Sequence, residues 1–207
     1  MSLIQRADTT ILADLAITTA ATENPVADSD LKSYAKISNS TDDALITILA
    51  NSVSDWVSKY LGRSLVNQTI TAYFSQYSHK VYLPYPPAVS ITSVKQKRLN
   101  SSETFTANSD YYLMGVQDKW LEFPTTATLP AGTSPGDNVG DYQLEVVYVA
   151  GYGTTGEDVP AQIREACMRI FANSYKHRED DVIGAAVVNV DRTSYMMLQP
   201  FRNMRML

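Results

Sequence analysis

Residues 142–181, YQLEVVYVAGYGTTGEDVPAQIREACMRIFANSYKHREDD, read as a strand, a glycine-rich turn and a helix, and the rest of the chain must pack around that unit. Leu144, Val146, Tyr148 and Ala150 alternate with Gln143, Glu145, Val147 and Val149 in a stretch rich in β-branched and aromatic types. Gly151, Gly153 and Gly156 then interrupt the ladder. Pro160 suits the first turn of a helix, where its missing amide costs nothing, and Glu157 and Asp158 suit the positive end of the helix dipole. From there Ile163, Ala166, Cys167, Ile170, Phe171, Ser174 and Tyr175 recur at three-four spacing as one apolar stripe. Lys176, His177 and Arg178 complement the negative end.

The turn also spells G-x-G-x-x-G, the dinucleotide-binding fingerprint, between a strand and a helix. That fingerprint works by aiming helix-start amides at a pyrophosphate. Here two carboxylates and a proline stand where phosphate would sit, so a connecting turn is the better reading and no cofactor is expected.

A second amphipathic helix precedes this unit. Ser40-Thr41-Asp42-Asp43 opens it, with Asp43 in the place of a capping-box glutamate. Its apolar positions are Leu45, Ile46, Leu49, Val53, Trp56, Val57, Tyr60 and Leu61, and Gly62 reads as its C-cap. Residues 1–28 read as a flexible leader in which 11–17 form one strand or turn at most, and Ser29 or Asp30 can cap a short helix. Between the long helices lie short strands, read at 68–74, 80–83, 89–99, 111–114, 120–123 and 142–150. Residues 100–102 and 125–140 read as loops. Strands this close are mostly antiparallel, because parallel crossovers need about a dozen residues or more. The expected fold is therefore α+β: a helical-bundle core of two long amphipathic helices plus short helices, with an inserted, mostly antiparallel sheet at about 67–150. Residues 29–181 form a single domain in this reading. Leu49, Val53, Trp56, Ile163, Cys167, Ile170 and Phe171 form its core, and 182–207 leave it as a C-terminal arm.

Little in the chain suggests chemistry. The net charge is −5 over 207 residues, so no basic face for gripping nucleic acid is implied. The lone Cys167 excludes an internal disulfide and falls on an apolar stripe, as a small core hydrophobe does. No run approaches a membrane span, and Asp8 and Asp14 break up what could pass for a signal peptide. Sequons at Asn39, Asn67 and Asn100 read as chance matches in a chain made in a reducing cytoplasm. His79 falls in a turn between strands and reads as solvated; His177 reads as a dipole partner. Asp42/Asp43 and Asp180/Asp181 fit helix ends or flanks. Asp137, Asn138 and Asp141 lack the spaced ligand set of a calcium loop, so no metal is expected. Without a convergent set of ionisable groups the chain is not expected to be an enzyme. Thirteen tyrosines leave one alternative, a carbohydrate-binding module in which Tyr73, Tyr77, Tyr82 and Tyr85 stack on sugar rings. Half-buried strand tyrosines explain them more simply.

The order of elements and several strings resemble the head–tail connector (adaptor, head-completion) proteins of tailed bacteriophages. LKSYAKI resembles that family's first helix and TDDALITILANSVSDWVSKYLGRSL its second, ending in Gly62-Arg63. VYLPYPPAVSITSV, residues 81–94, is similar to its strand pair. VVYVAGYGTTGEDVPAQIREA, residues 146–166, is the most specific segment, and LQPFR, residues 198–202, resembles a frequent ending. The resemblance implies a structural virion protein made in the host bacterial cytoplasm: a ring, dodecameric by the same resemblance, docked under the portal in the neck. It extends the DNA channel and receives the next neck or tail protein. Duplex DNA passes without sequence-specific binding, for which an acidic chain is suited, since a basic lining would hold DNA by counterion release. Four of the seven methionines lie at 196, 197, 204 and 206, and flexible thioethers suit an adaptable contact surface. Tyr195, Met196, Met197, Leu198, Phe201, Arg202 and Arg205 are therefore expected to dock on the portal; folding back onto the chain's own domain is the alternative.

Overall fold

The computed structural model describes residues 10–98, 101–116, 118–124, 143–176 and 192–203. The chain divides into two units, Met1–Ala20 with Gln68–Ala150, and Ala21–Asn67 with Gly151–Leu207.

The first unit is built of strands: β1 (Ile11–Thr19), β2 (Gln68–Gln76), β3 (Lys80–Tyr82), β4 (Ala88–Arg98), β5 (Ser101–Thr104), β6 (Tyr112–Met114), β7 (Trp120–Glu122) and β8 (Leu144–Ala150). They form a five-stranded sheet in the order β1-β2-β8-β4-β5 and a three-stranded sheet in the order β3-β7-β6. Every ladder between these strands is antiparallel. The alternation in β8 decides which face is inside: Leu144, Val146, Tyr148 and Ala150 are fully buried. Leu144, Val146 and Tyr148 stand opposite Phe74, Ala72 and Ile70 of β2, and Val94 of β4 faces Val146. Val81, Leu121 and Phe123 complete this core. Each large apolar side chain buried here contributes about 1.5–3 kcal/mol. The Tyr148 hydroxyl is satisfied by donating to the Pro84 carbonyl, and burial holds that phenol protonated.

The second unit is built of helices: α1 (Asp28–Ala35), α2 (Asp43–Leu61), α3 (Ala161–Lys176) and α4 (Arg192–Leu198), with 3₁₀ turns at Gly156–Asp158 and Gln199–Phe201. α2 buries Ile46, Ala50, Val53, Val57 and Leu61, and α3 buries Ile163, Ala166, Cys167 and Phe171. Leu31, Leu65, Val159 and Leu198 close the same core. Gly62 ends α2 in the left-handed region at φ 61°, and the amides of Gly62 and Arg63 return to Lys59 and Ser58. Asp42 makes no side-chain cap. Its carboxylate instead accepts the Tyr175 hydroxyl at 2.6 Å, tying the end of α3 to the start of α2.

The fold differs from the expected helical bundle of two long helices carrying a sheet as an insert. The helices have 8, 19, 16 and 7 residues, and α3 packs on α4 as well as on α2. The strands close a core of their own. The reason is energetic: β2, β4 and β8 bring enough apolar residues to satisfy one another, which helical stripes read singly do not reveal. Residues 11–19, expected within a flexible leader, are a strand. Their composition is weak, but the β2 ladder and a 2.6 Å contact between the Thr18 and Thr71 hydroxyls hold them. Ser101 and Ser102, expected in a loop, open β5. Several expectations lie outside the described residues: the loop at 125–140 with Asp137 and Asn138; Asn100 and Asp141; His177, Arg178, Glu179, Asp180 and Asp181; the apolar segment 182–190; and Met204, Arg205 and Met206.

Cys167 sits in the helical core as a reduced thiol, 2% exposed, and burial pushes its pKa from 9.0 up to about 12. The unfolded chain therefore gives up this proton at lower pH than the folded one. The thiol's contribution to stability is complete below pH 9.0 and is lost as pH rises toward about 12. The urea midpoint of the native chain is expected to fall more steeply across that window than that of a Cys167→Ala variant. Equal slopes would show that the thiol ionises without unfolding.

Candidate functional site

The glycine turn is closed by protein. A Cβ at Gly151, where φ is 151°, would lie 2.5 Å from the Asn67 backbone nitrogen, and one at Gly156 would lie 2.5 Å from the Asn24 carbonyl oxygen. Asn67 donates to the Gly153 carbonyl at 2.9 Å. The Asp158 carboxylate accepts from both the amide and the hydroxyl of Thr155 at 3.0 Å, and these bonds hold its pKa below the usual carboxylate range. Backbone approach thus accounts for Gly151 and Gly156, and the Asp158 side chain fills the space at Gly153.

Among the described residues no group of three or more His, Cys, Asp or Glu could hold a metal ion, and no helix is long and apolar enough to cross a membrane. His79, expected to be solvated, is half-buried, with its Nδ1 3.2 Å from the Phe123 carbonyl while its own carbonyl accepts the Phe123 amide at 2.8 Å. An open depression of about 900 Å3 beside it is lined by Ser78, Lys80, Tyr112 and Glu122. A second, of about 480 Å3, has Glu23, Asp28, Asp30 and Glu157 around Arg164. In the first, the Ser78 hydroxyl donates to the Lys80 carbonyl at 2.9 Å and bonds the Thr10 hydroxyl at 3.1 Å.

The four tyrosines considered for sugar stacking do not share a face. Tyr77 and Tyr85 pack against the strand core, and Tyr73 is half-buried on β2. Tyr82 is exposed on the outer face of the three-stranded sheet, where the register sets it in one row with Trp120 and Met114. The Lys80 ammonium already lies 5.8 Å from the centre of the Trp120 ring.

An exposed aromatic cluster lies on the helical unit. Trp56, expected in the core, is 37% exposed. Its helix buries the arc from Ile46 to Leu61, which leaves Trp56 and Tyr60 on the rim, where an amphipathic ring is at home. Trp56 stacks on Tyr60 at 5.2 Å, and Tyr195 meets both rings edge-on at 5.4 Å. The Arg202 guanidinium lies 5.4 Å from the Tyr60 ring centre. Tyr195 is 40% and Met196 61% exposed, so an aromatic and thioether face meets solvent here. Of the other residues expected to dock, Leu198 is fully buried, and Met197 and Phe201 pack against the core. The tail is also fastened by Asn203 donating to the Leu61 carbonyl at 2.7 Å and Arg63 to the Phe201 carbonyl at 2.6 Å. Arg205 lies outside the described residues. Of the expected core, Val53, Ile163, Cys167 and Phe171 are buried, and Leu49 and Ile170 are half-buried against it. Sequence reading missed the partnership of Trp56 and Tyr60 with Tyr195. The weak signal for it was two rings four residues apart at the edge of a stripe.

The described residues form two units, each with its own core, and an aromatic cluster is exposed on the helical one. The chain belongs to the head completion protein family, whose model matches residues 26–197. Members of this family are structural virion proteins, and this chain is a structural head–tail adaptor. The fold is similar to a chain from the neck of an empty gene transfer agent particle computed with C6 symmetry, at 16% identity and TM-score 0.72, covering 94% of this chain and 98% of that one. It is also similar to a chain from the virion of the native gene transfer agent particle, at 17% identity and TM-score 0.73 with the same coverage. A third similar chain comes from the neck of the native particle computed with C12 symmetry, at 15% identity and TM-score 0.63, again with the same coverage. No curated protein matches the sequence.

Proposed function

We propose that this adaptor assembles as a twelve-membered ring beneath the portal, extends the DNA channel and receives the next neck or tail protein. The match of residues 26–197 to the head completion family carries the reading. The C6 and C12 symmetries of the necks that hold similar chains support a ring. Its work is mechanical, without catalysis or cofactor. Duplex DNA slides through a lumen that is neutral or acidic, consistent with a net charge of −5.

Portal docking falls to Tyr195 and Met196 together with Trp56, the exposed part of the C-terminal region. Aromatic and methionine side chains are the types enriched at interface centres. Removing the whole tail does not test this, because Leu198 belongs to the core. Met196→Asp, at a position 61% exposed, is expected to leave the thermal midpoint within about 2 °C and to weaken portal binding about tenfold or more. Unchanged affinity in calorimetric titration with purified portal would remove the assignment.

A further inference from the structure

The five-stranded sheet ends in two unlike edges. β1 stands at one end and β5 at the other. Among the described residues β1 pairs on one side only, with β2, so the backbone groups on its far side have no ladder. Exposed edges of this kind are ordinarily blunted by shortness, proline or charge. β1 is nine residues long and holds no proline; its one charge, Asp14, accepts the Leu15 amide at 2.8 Å, and its pairing slips at Ile11/Leu12, Leu12/Asp14 and Ile17/Thr19, which leaves Asp14 to Ile17 as the regular run. Ile11, Leu12 and Ile17 are 45%, 40% and 55% exposed along it. The opposite edge is short and polar: β5 covers only Lys95–Arg98 of β4 and presents Ser102, Glu103 and Thr104.

The two edges also differ in charge. The register aligns Asp14, Tyr73, Glu145, Lys95 and Thr104 in one row across the sheet. Lys95 and Lys97 share the single Glu145 carboxylate at 3.9 and 3.6 Å. The row starts on an acid at β1 and ends at Thr104 of β5, beside two lysines that share one carboxylate, while Glu103 alternates to the other face of β5.

We propose that β1 is the docking edge for a second copy of this chain, which meets it through its own β5 edge so that the sheet continues from subunit to subunit. The inference rests on the ring reading and says which surfaces close the ring. Joining β1 to β1 closes a dimer and doubles the acidic charge at the joint. Joining β1 to β5 pairs unlike surfaces, as a closed ring requires, and brings Asp14 within about two strand spacings of the Lys95–Lys97 pair, with β5 between them. Five alternating strands leave β1 and β5 running the same way, so the new pair is parallel, with evenly spaced, slanted bonds.

The test is disulfide trapping in assembled virions that carry Asp14→Cys together with Thr104→Cys, both at exposed positions. Native Cys167 is buried and stays silent. Mild oxidation is expected to give a ladder of linked species well beyond dimer on a non-reducing gel, and neither single variant should give one. Dimers from Asp14→Cys alone, or a double-variant ladder that stops at dimer, overturn the unlike-edge joint. Rings seen by electron microscopy without cross-links overturn this joint and leave the ring reading standing; necks without a ring of this chain overturn both. As a second measurement, Ile17→Lys is expected to keep the subunit's circular dichroism spectrum and to lower ring recovery at least tenfold. Unchanged recovery counts against the proposal.

Discussion

Gly151→Val is expected to cost about 2–6 kcal/mol of stability and to lower the urea midpoint of unfolding sharply. A side chain at φ 151° is strained whatever the space around it, and such strain costs about 1–3 kcal/mol. The space is also taken, because the new Cβ would meet the Asn67 nitrogen at 2.5 Å and its Cα at 2.6 Å. Asn67 cannot step aside cheaply, since its amide is committed to the Gly153 carbonyl and the neighbouring Tyr152 amide to the Leu65 carbonyl. Forced overpacking adds about 1–3 kcal/mol. A total of about 2–6 kcal/mol is a large share of a domain stability of about 5–15 kcal/mol. Gly153→Ala is the comparison: its Cβ would lie 2.2–2.4 Å from the Oδ2, Cγ and backbone-fixed Cβ of Asp158, so the turn must open and lose the bonds to Thr155, but without the left-handed strain of about 1–3 kcal/mol that Gly151→Val adds. Urea denaturation of both variants checks the order. A Gly151→Val midpoint near that of the native chain would show that the turn is not the tight crossing described.

Phe171→Ala is expected to destabilise the helical unit by about 3–5 kcal/mol. Phe171 is fully buried on α3 and stacks on Tyr175 at 6.1 Å, and Tyr175 in turn holds Asp42 at the start of α2. The cavity therefore also loosens the clasp between two helices. Phe171→Leu, which keeps most of the volume, should cost about 1.5 kcal/mol or less. The two tryptophans make this measurable, since Trp56 lies in the helical unit and Trp120 in the strand unit. In a Trp120→Phe background the fluorescence of Trp56 reports the transition, and its midpoint should fall in the order native, leucine, alanine. Equal midpoints for the two variants would mean that the helices collapse to fill the gap.

Much of the local structure was legible in residue order. The alternation of Leu144, Val146, Tyr148 and Ala150 named the buried face of β8, and the three-four stripe named Ile163, Cys167 and Phe171 on α3. The strings around the glycine turn carried the family, because that turn is held by close backbone approaches that only glycine tolerates. What residue order left open was which pieces share a core. A stripe shows that a face must be covered without naming its cover, so the strands were mistaken for an insert in a helical bundle instead of a unit with its own interior. Trp56 was assigned to the core because periodicity gives an angle around a helix but not the depth at which the neighbouring helix stops. A strand at 11–17 was one option within the leader, and residue order could not fix it because its ladder is made of backbone groups, which every residue carries alike. Leu198 and Met196, two positions apart, looked equally suited to docking. Only the packing of α4 against α3 sends one into the core and leaves the other in water, because burial depends on partners brought from far along the chain.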